Sequence, residues 1–259
     1  MNLVDTHAHL QFKAYDEDRN YVVKRSSEQL AALVNVGTSV ESSKNGVELS
    51  KKVEGFFSSV GVHPHHAGLW NDETIPTFES LLKEEKVVAV GEIGLDNHSY
   101  QDYPQPDLKA QTEILHKQID LAVKNKKPVL FHCRDAYDEI YEEIKQYNGK
   151  ISGLMHCYMG TWGQAKNFLD LGLYISFSGN ITYKRNDYIR RVAKKIPKEK
   201  ILIETDAPFL PPEPYRGQRN EPIYVKIAAE TLSFLKGWFL GETAAITSKN
   251  AAALLKISL

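Results

Sequence analysis

Eight short apolar runs punctuate the chain, and longer stretches with helical spacing separate most of them. The runs are Leu3–Asp5, Ala32–Val36, Phe56–Val62, Val87–Gly91, Pro128–Phe131, Ile151–Met155, Leu173–Phe177 and Ile201–Glu204. Several carry apolar side chains at consecutive positions, where a strand with one wet face would alternate. That pattern marks parallel strands buried on both faces. Between the later runs, Asp107–Lys126 sets Leu108, Leu115, Ile119 and Ala122 on one stripe, and Asp135–Gln146 does the same with Ala136, Ile140 and Ile144. Glu221–Lys236 and Glu242–Lys256 are the last two helix candidates. Gly37, Gly55, Gly149, Gly172 and Gly237 fall where helices should stop or strands begin.

Strand and helix alternating eight times over 259 residues predict an α/β fold of the (β/α)8 TIM-barrel type, with one barrel domain spanning residues 1–259. A doubly wound open sheet is the alternative. No shift in composition or flexible linker divides the chain. The most irregular stretch, Asp206–Pro222, holds five prolines and directly follows the last run, so it reads as a rim loop.

The ends of these runs carry the chemistry. His7 and His9 form a His-x-His pair, and residues two apart on a strand project the same way. Glu92 follows Val-Val-Ala-Val-Gly, His132 follows Pro-Val-Leu-Phe, His156 follows Ile-Ser-Gly-Leu-Met, and Asp206 lies two residues past Ile-Leu-Ile-Glu. In a barrel those ends meet on one rim, where active sites are built. His7, His9, Glu92, His132, His156 and Asp206 are therefore the expected metal ligands, more than one tetrahedral ion requires. They suit two divalent ions bridged by Glu92, with His7, His9 and Asp206 on one side and His132 and His156 on the other. Zinc, manganese, magnesium and iron are all compatible, with histidine-rich ligation leaning away from pure magnesium. Glu92 and Asp206 are also the expected catalytic residues.

At this point the residues resemble a family. Asp5-Thr-His-Ala-His-Leu10, Gly61-Val-His-Pro-His65, Gly91-Glu-Ile-Gly-Leu-Asp96, His132-Cys-Arg-Asp-Ala136, Glu204-Thr-Asp-Ala-Pro208 and Arg216-Gly-Gln-Arg-Asn-Glu-Pro222 are similar to the motifs of the TatD metal-dependent hydrolases. The resemblance implies a deoxyribonuclease, often a 3′→5′ exonuclease, with DNA as substrate and the six ligands just named. Two stretches depart from the family pattern. Asn97-His-Ser-Tyr100 stands where an aromatic residue is expected after Gly-Leu-Asp, and Cys157-Tyr-Met-Gly160 replaces a Cys-Phe-Ser-Gly-like sequence.

Candidate substrate contacts are His63, His65, Arg134, Arg216 and Asn220, since guanidinium groups bind phosphate bidentately. For Arg134 the competing expectation is an ion pair with Asp135 or Asp138. Asp96 could orient a ligand histidine or cap the next loop. Cys133 and Cys157 are expected to face the helix layer, His98 and His116 to be solvated or packing residues, and His66 to be exposed. Trp70, Trp162 and Trp238 could stack bases, but core packing is the commoner use.

The formal net charge of −1 gives no general attraction to nucleic acid. The short basic pairs, such as Lys24-Arg25 and Arg190-Arg191, read as solvated helix faces. Two cysteines imply no disulfide framework. No apolar run approaches the ~20 residues of a membrane span, and the first residues lack a signal-peptide pattern, so a cytoplasmic location is expected. Two rival functions remain open: a two-metal amidohydrolase or esterase acting on a small substrate, and a catalytically inactive metal-binding scaffold.

Overall fold

The computed structural model describes residues 2–100 and 106–259. Its strands are β1 (Val4–Ala8), β2 (Ala32–Val36), β3 (Phe56–Val60), β4 (Val87–Asp96), β5 (Val129–Arg134), β6 (Gly153–Met155), β7 (Tyr174–Phe177) and β8 (Ile201–Ile203). They pair in sequence order, each parallel to the next. The ring closes near its C-terminal rim through a parallel bridge between Ala8 and Ala207. There the His9 N–H donates to the Ala207 carbonyl at 2.7 Å and the Asp206 N–H to the His7 carbonyl at 2.9 Å. The expected (β/α)8 barrel is the fold, and the open sheet is excluded.

The helices are α1 (Arg19–Gln29), α2 (Val40–Lys51), α3 (Thr74–Leu81), α4 (Leu108–Asn125), α5 (Tyr137–Ile144), α6 (Trp162–Asp170), α7 (Asp187–Lys195), α8 (Val225–Lys236) and α9 (Leu240–Leu255). The start of α4 is fixed by Asp107, whose Oδ1 accepts from the Ala110 N–H at 2.8 Å. α6 opens with a reciprocal capping box between Thr161 and Gln164. α8 stops at Gly237, whose φ of 68° is the left-handed conformation that glycine adopts without strain.

Burial on both strand faces divides the core as the consecutive apolar runs require. The largest cluster joins strand residues such as Val90, Phe131 and Ile175 to helix residues such as Leu115, Ile140 and Phe168. A second gathers Ala32, Val34, Val36, Leu130, Leu154 and Leu202 with Ala251, Leu254 and Leu255 of α9. α9 thus packs its apolar end against strand side chains that the outer helices do not cover.

Three expectations about strand ends need correction. His7 lies within β1, Glu92 within β4, which continues to Asp96, and His132 within β5, which continues to Arg134. The positions of His7 and Glu92 coincide with register shifts, between Asp5 and Ala8 against β2 and between Gly91 and Ile93 against β5. A bulge re-aims a side chain without ending its strand. Among the described residues, no helix is long and apolar enough to cross a membrane.

Candidate metal centre

The six expected ligands converge at the C-terminal mouth. Glu92 stands in the middle and uses its two oxygens on different neighbours. Its Oε2 lies 3.5 Å from His7 Nε2 and 3.8 Å from His9 Nε2. Its Oε1 lies 2.7 Å from His132 Nδ1 and 2.8 Å from His156 Nε2. Asp206 Oδ1 reaches the first pair, at 3.5 Å from His9 and 3.8 Å from His7. All but the partly exposed His132 are buried.

The far nitrogens decide what the near ones present. His9 Nδ1 lies 2.8 Å from the Val36 carbonyl, which can only accept, so that nitrogen carries the proton. His132 Nε2 faces Asp96 Oδ2 at 3.1 Å. His156 Nδ1 faces Glu204 Oε1 at 3.2 Å, an oxygen that also accepts from the Cys157 N–H at 2.9 Å. In their neutral forms all three rings aim a lone pair at the centre. His7 and His9 bring their Nε2 atoms to 3.2 Å of each other, and His132 Nδ1 and His156 Nε2 approach to 3.1 Å. Lone pairs facing one another beside carboxylates repel unless protons or cations lie between them. The donor set, imidazole nitrogen with carboxylate oxygen, fits divalent zinc, manganese or iron.

The electrostatics agree. Burial alone would raise the Glu92 carboxyl, but the imidazoles around it, His156 foremost, hold it well below the usual range. Burial also opposes Asp96, and hydrogen bonds from His132 and His65 overcome it, keeping that carboxyl ionised. His7 is lowered by burial and by His156. His132 and His156 are raised despite burial, the first chiefly by Asp96 and the second by Glu92.

His63 differs from the other rings. Its Nδ1 accepts from the His65 N–H at 3.1 Å, so the neutral ring carries its proton on Nε2, which faces Glu92 Oε1 at 3.6 Å. Burial and His132 push its pKa well down and keep it neutral. His63 is thus a hydrogen-bond donor at the mouth. His63, His65 and Asp96 do offer atoms within 4.8 Å of one another, but this tautomer leaves His63 Nε2 without a lone pair for a cation.

The remaining expectations divide. His65 and Arg134 line a cavity of about 400 Å³ over the centre, together with Phe12, Tyr100 and Phe209. Arg134 makes no ion pair with Asp135 or Asp138 among the described residues; it donates to the Tyr100 hydroxyl at 2.9 Å. Asp135 pairs instead with His98 at 2.6 Å. Arg216 sits over the Tyr183 ring at 4.6 Å and does not line the cavity. Asn220 is not brought to the mouth at all. It is fully buried, its Nδ2 donates to the Thr205 and Phe209 carbonyls at 2.8 and 2.6 Å, and its Oδ1 accepts from the Glu221 N–H. Both of its amide hydrogens are taken, and it does not line the cavity.

Cys133 joins the barrel–helix core as expected. Cys157 does not, because its φ of 43° breaks the strand alternation and brings Sγ to 3.2 Å from Ser178 Oγ. His66 is only partly exposed; its Nδ1 faces the Thr38 carbonyl at 2.9 Å on the cavity wall. His116 pairs with Glu143 at 2.8 Å on the outer surface. The tryptophans pack against the core, and Phe12, Tyr100 and Phe209 supply the aromatic surface at the mouth.

Sequence reasoning assigned no role to Glu204, Tyr100 or Phe12. The signal for Glu204 was an acid ending the apolar run before Asp206. Tyr100 donates to Asp96 Oδ2 at 3.0 Å and supplies an aromatic ring within the departing Asn97-His-Ser-Tyr100 stretch. Phe12 stacks on the His9 ring at 4.6 Å, a contact that no spacing rule announces.

A parallel barrel that collects buried histidines and carboxylates at its C-terminal mouth is the architecture of a metal-dependent hydrolase. The chain belongs to the TatD related DNase family, whose model matches residues 4–256. It is 37% identical to the metal-dependent hydrolase YabD of Bacillus subtilis, over 99% of this chain and 100% of that one. It is 32% identical to the 3′-5′ ssDNA/RNA exonuclease TatD of Erwinia tasmaniensis, over 98% and 100% of the two chains. The crystal structure of YjjV, a TatD homologue from Escherichia coli, superposes with a TM-score of 0.91 at 28% identity, covering 99% of this chain and 98% of that one.

Proposed function

We propose that this chain is a phosphodiesterase acting on single-stranded nucleic acid, with two divalent cations held on either side of Glu92. The observation that carries the reading is the division of Glu92, with Oε2 toward His7 and His9 and Oε1 toward His132 and His156. On this reading His7, His9, Glu92 and Asp206 would hold one ion and Glu92, His132 and His156 the other. When bound, the ions supply Lewis acidity that lowers the pKa of water and neutralises charge on the phosphoryl oxygens.

The chain's own groups do the rest. Asp206, at the edge of the cavity, orients the attacking water and accepts its proton. His63 Nε2–H and the Arg134 guanidinium donate to the phosphoryl oxygens, where charge builds as the bond breaks. Asp96 and Glu204 hold His132 and His156 in the tautomers that ligation needs. Phe12, Tyr100 and Phe209 offer ring surface for a base. Relatives named 3′-5′ ssDNA/RNA exonuclease support action from a 3′ end.

The test is metal-stripped protein incubated with 3′- and 5′-end-labelled single-stranded DNA, adding manganese, magnesium or zinc, beside Glu92→Ala. Stepwise shortening from the 3′ end that needs both a metal and Glu92 is the expected result. Absence of cleavage with any metal, in protein that binds two ions, would overturn the nuclease reading and point to a smaller ester or amide.

A further inference from the structure

A second cleft opens on the same centre. It has a volume of about 310 Å³ and is walled by Asn180, Tyr183, Arg185 and Tyr188 after β7, and by Cys157 and Met159 after β6. It shares His132, Arg134, His156, Asp206 and Leu210 with the first cavity, so the two meet at the candidate metal centre. The two ester arms of one tetrahedral phosphorus diverge, as these two clefts do.

Asn180 and Tyr183 are buried in the wall of the second cleft, and Arg185 and Tyr188 are exposed at its rim. The Tyr183 hydroxyl donates to the Pro211 carbonyl at 2.9 Å, and Arg216 lies over the same ring. Tyr188 is 39% exposed, and the Arg185 guanidinium makes no ion pair among the described residues. Asn180 is 1% exposed; its Nδ2 donates to Cys157 Sγ at 3.3 Å, and its Oδ1 has no partner among the described residues. Burying an amide oxygen without a donor is unfavourable, and folded chains rarely leave one so. Asn180 lines the cleft, where a ligand hydroxyl or amino group would supply the missing donor.

We infer that this cleft holds the nucleoside on the second side of the scissile phosphate, with Tyr188 against its base, Arg185 on the next phosphate, and Asn180 Oδ1 accepting from the sugar or base. The inference rests on the nuclease reading and deepens it. The enzyme then prefers a diester with a nucleoside on each arm over one with a single small arm.

The experiment measures kcat and KM of the metal-reconstituted wild type, Tyr188→Ala, Arg185→Ala and Asn180→Ser. The substrates are a thymidine dinucleotide, joined by one phosphodiester and carrying a phosphate at each end, and methyl p-nitrophenyl phosphate. Melting temperature and metal content are recorded for each variant. Tyr188→Ala, which loses one stacking contact, and Arg185→Ala, which loses one phosphate contact, are each expected to raise KM for the dinucleotide about tenfold and to leave the small ester within twofold. A wild type that cleaves the dinucleotide alone also supports the cleft. Unchanged dinucleotide kinetics in Tyr188→Ala and Arg185→Ala, or equal losses on both substrates, would overturn it. A wild type that cleaves neither substrate, nor longer DNA, removes the nuclease reading itself.

Discussion

Asp96 holds His132 from behind: its Oδ2 faces His132 Nε2 at 3.1 Å while His132 Nδ1 faces Glu92. The same carboxylate oxygen takes the Tyr100 hydroxyl at 3.0 Å and lies 2.9 Å from His65 Nε2. One buried acid therefore orders three groups of the mouth without facing the centre itself. Asp96→Asn should keep the fold and weaken metal binding about 10–100-fold, the usual effect of removing a ligand's hydrogen-bond partner. Calorimetric titration of stripped protein with zinc reads this directly. Wild-type affinity in the variant would show that His132 needs no such support.

Metal uptake should release protons. His132 and His156 are raised in the metal-free protein, by Asp96 and Glu92 against the effect of burial. A base with a raised pKa keeps its proton below that value, so near neutrality these rings are at least partly charged. A cation needs their lone pairs, so binding expels the protons and affinity falls as pH falls. Titrations in buffers of different ionisation enthalpy count the protons. A count of zero at pH 7 would place both rings neutral before metal arrives.

The fold was legible because parallel strands buried on both faces write themselves as continuous apolar runs. The candidate ligands were legible for a related reason: a histidine or carboxylate placed beside such a run is costly to bury unless it binds something. The bulges at His7 and Glu92 were not legible, since one extra residue in a ladder leaves no pattern in the sequence. α1 was equally silent: only Val22 and Ser26 of Arg19–Gln29 are buried, so it shows no apolar stripe. The substrate contacts were the weakest part, because an arginine or asparagine near a rim reads the same whether it faces the cavity or the loop behind it.

Asn220 shows that ambiguity in energetic form. Its amide pins the loop after β8 by bonding the Thr205 and Phe209 carbonyls on both sides of Asp206. Asn220→Ala leaves the buried Thr205 carbonyl, the part-buried Phe209 carbonyl and the Glu221 N–H without these partners. The expected cost is about 2–4 kcal/mol in urea denaturation, from orphaned polar groups and the small void. Turnover should fall as well, through a displaced Asp206 and a lower kcat. A raised KM with unchanged stability would restore the expectation that Asn220 touches substrate.

Gly94 joins the barrel's packing to the centre. β4 and β5 approach so closely there that a Cβ on Gly94 would lie 1.8 Å from the His132 carbonyl oxygen and 2.7 Å from its carbon. Those atoms are backbone and cannot rotate aside, so Gly94→Ala must push apart the two strands that carry Glu92 and His132. Overpacking of this kind costs about 3 kcal/mol or more, above the usual range for a single methyl. Gly149→Ala is the control: φ is 74° there, but no atom lies within 4 Å, so it meets only the backbone strain of about 1 kcal/mol. Urea midpoints and bound metal per chain, measured on both variants, separate the effects. Gly94→Ala should lose stability and metal together, and Gly149→Ala should keep its metal. Full metal content in Gly94→Ala would mean that the spacing of β4 and β5 does not set the geometry of the Glu92–His132 pair.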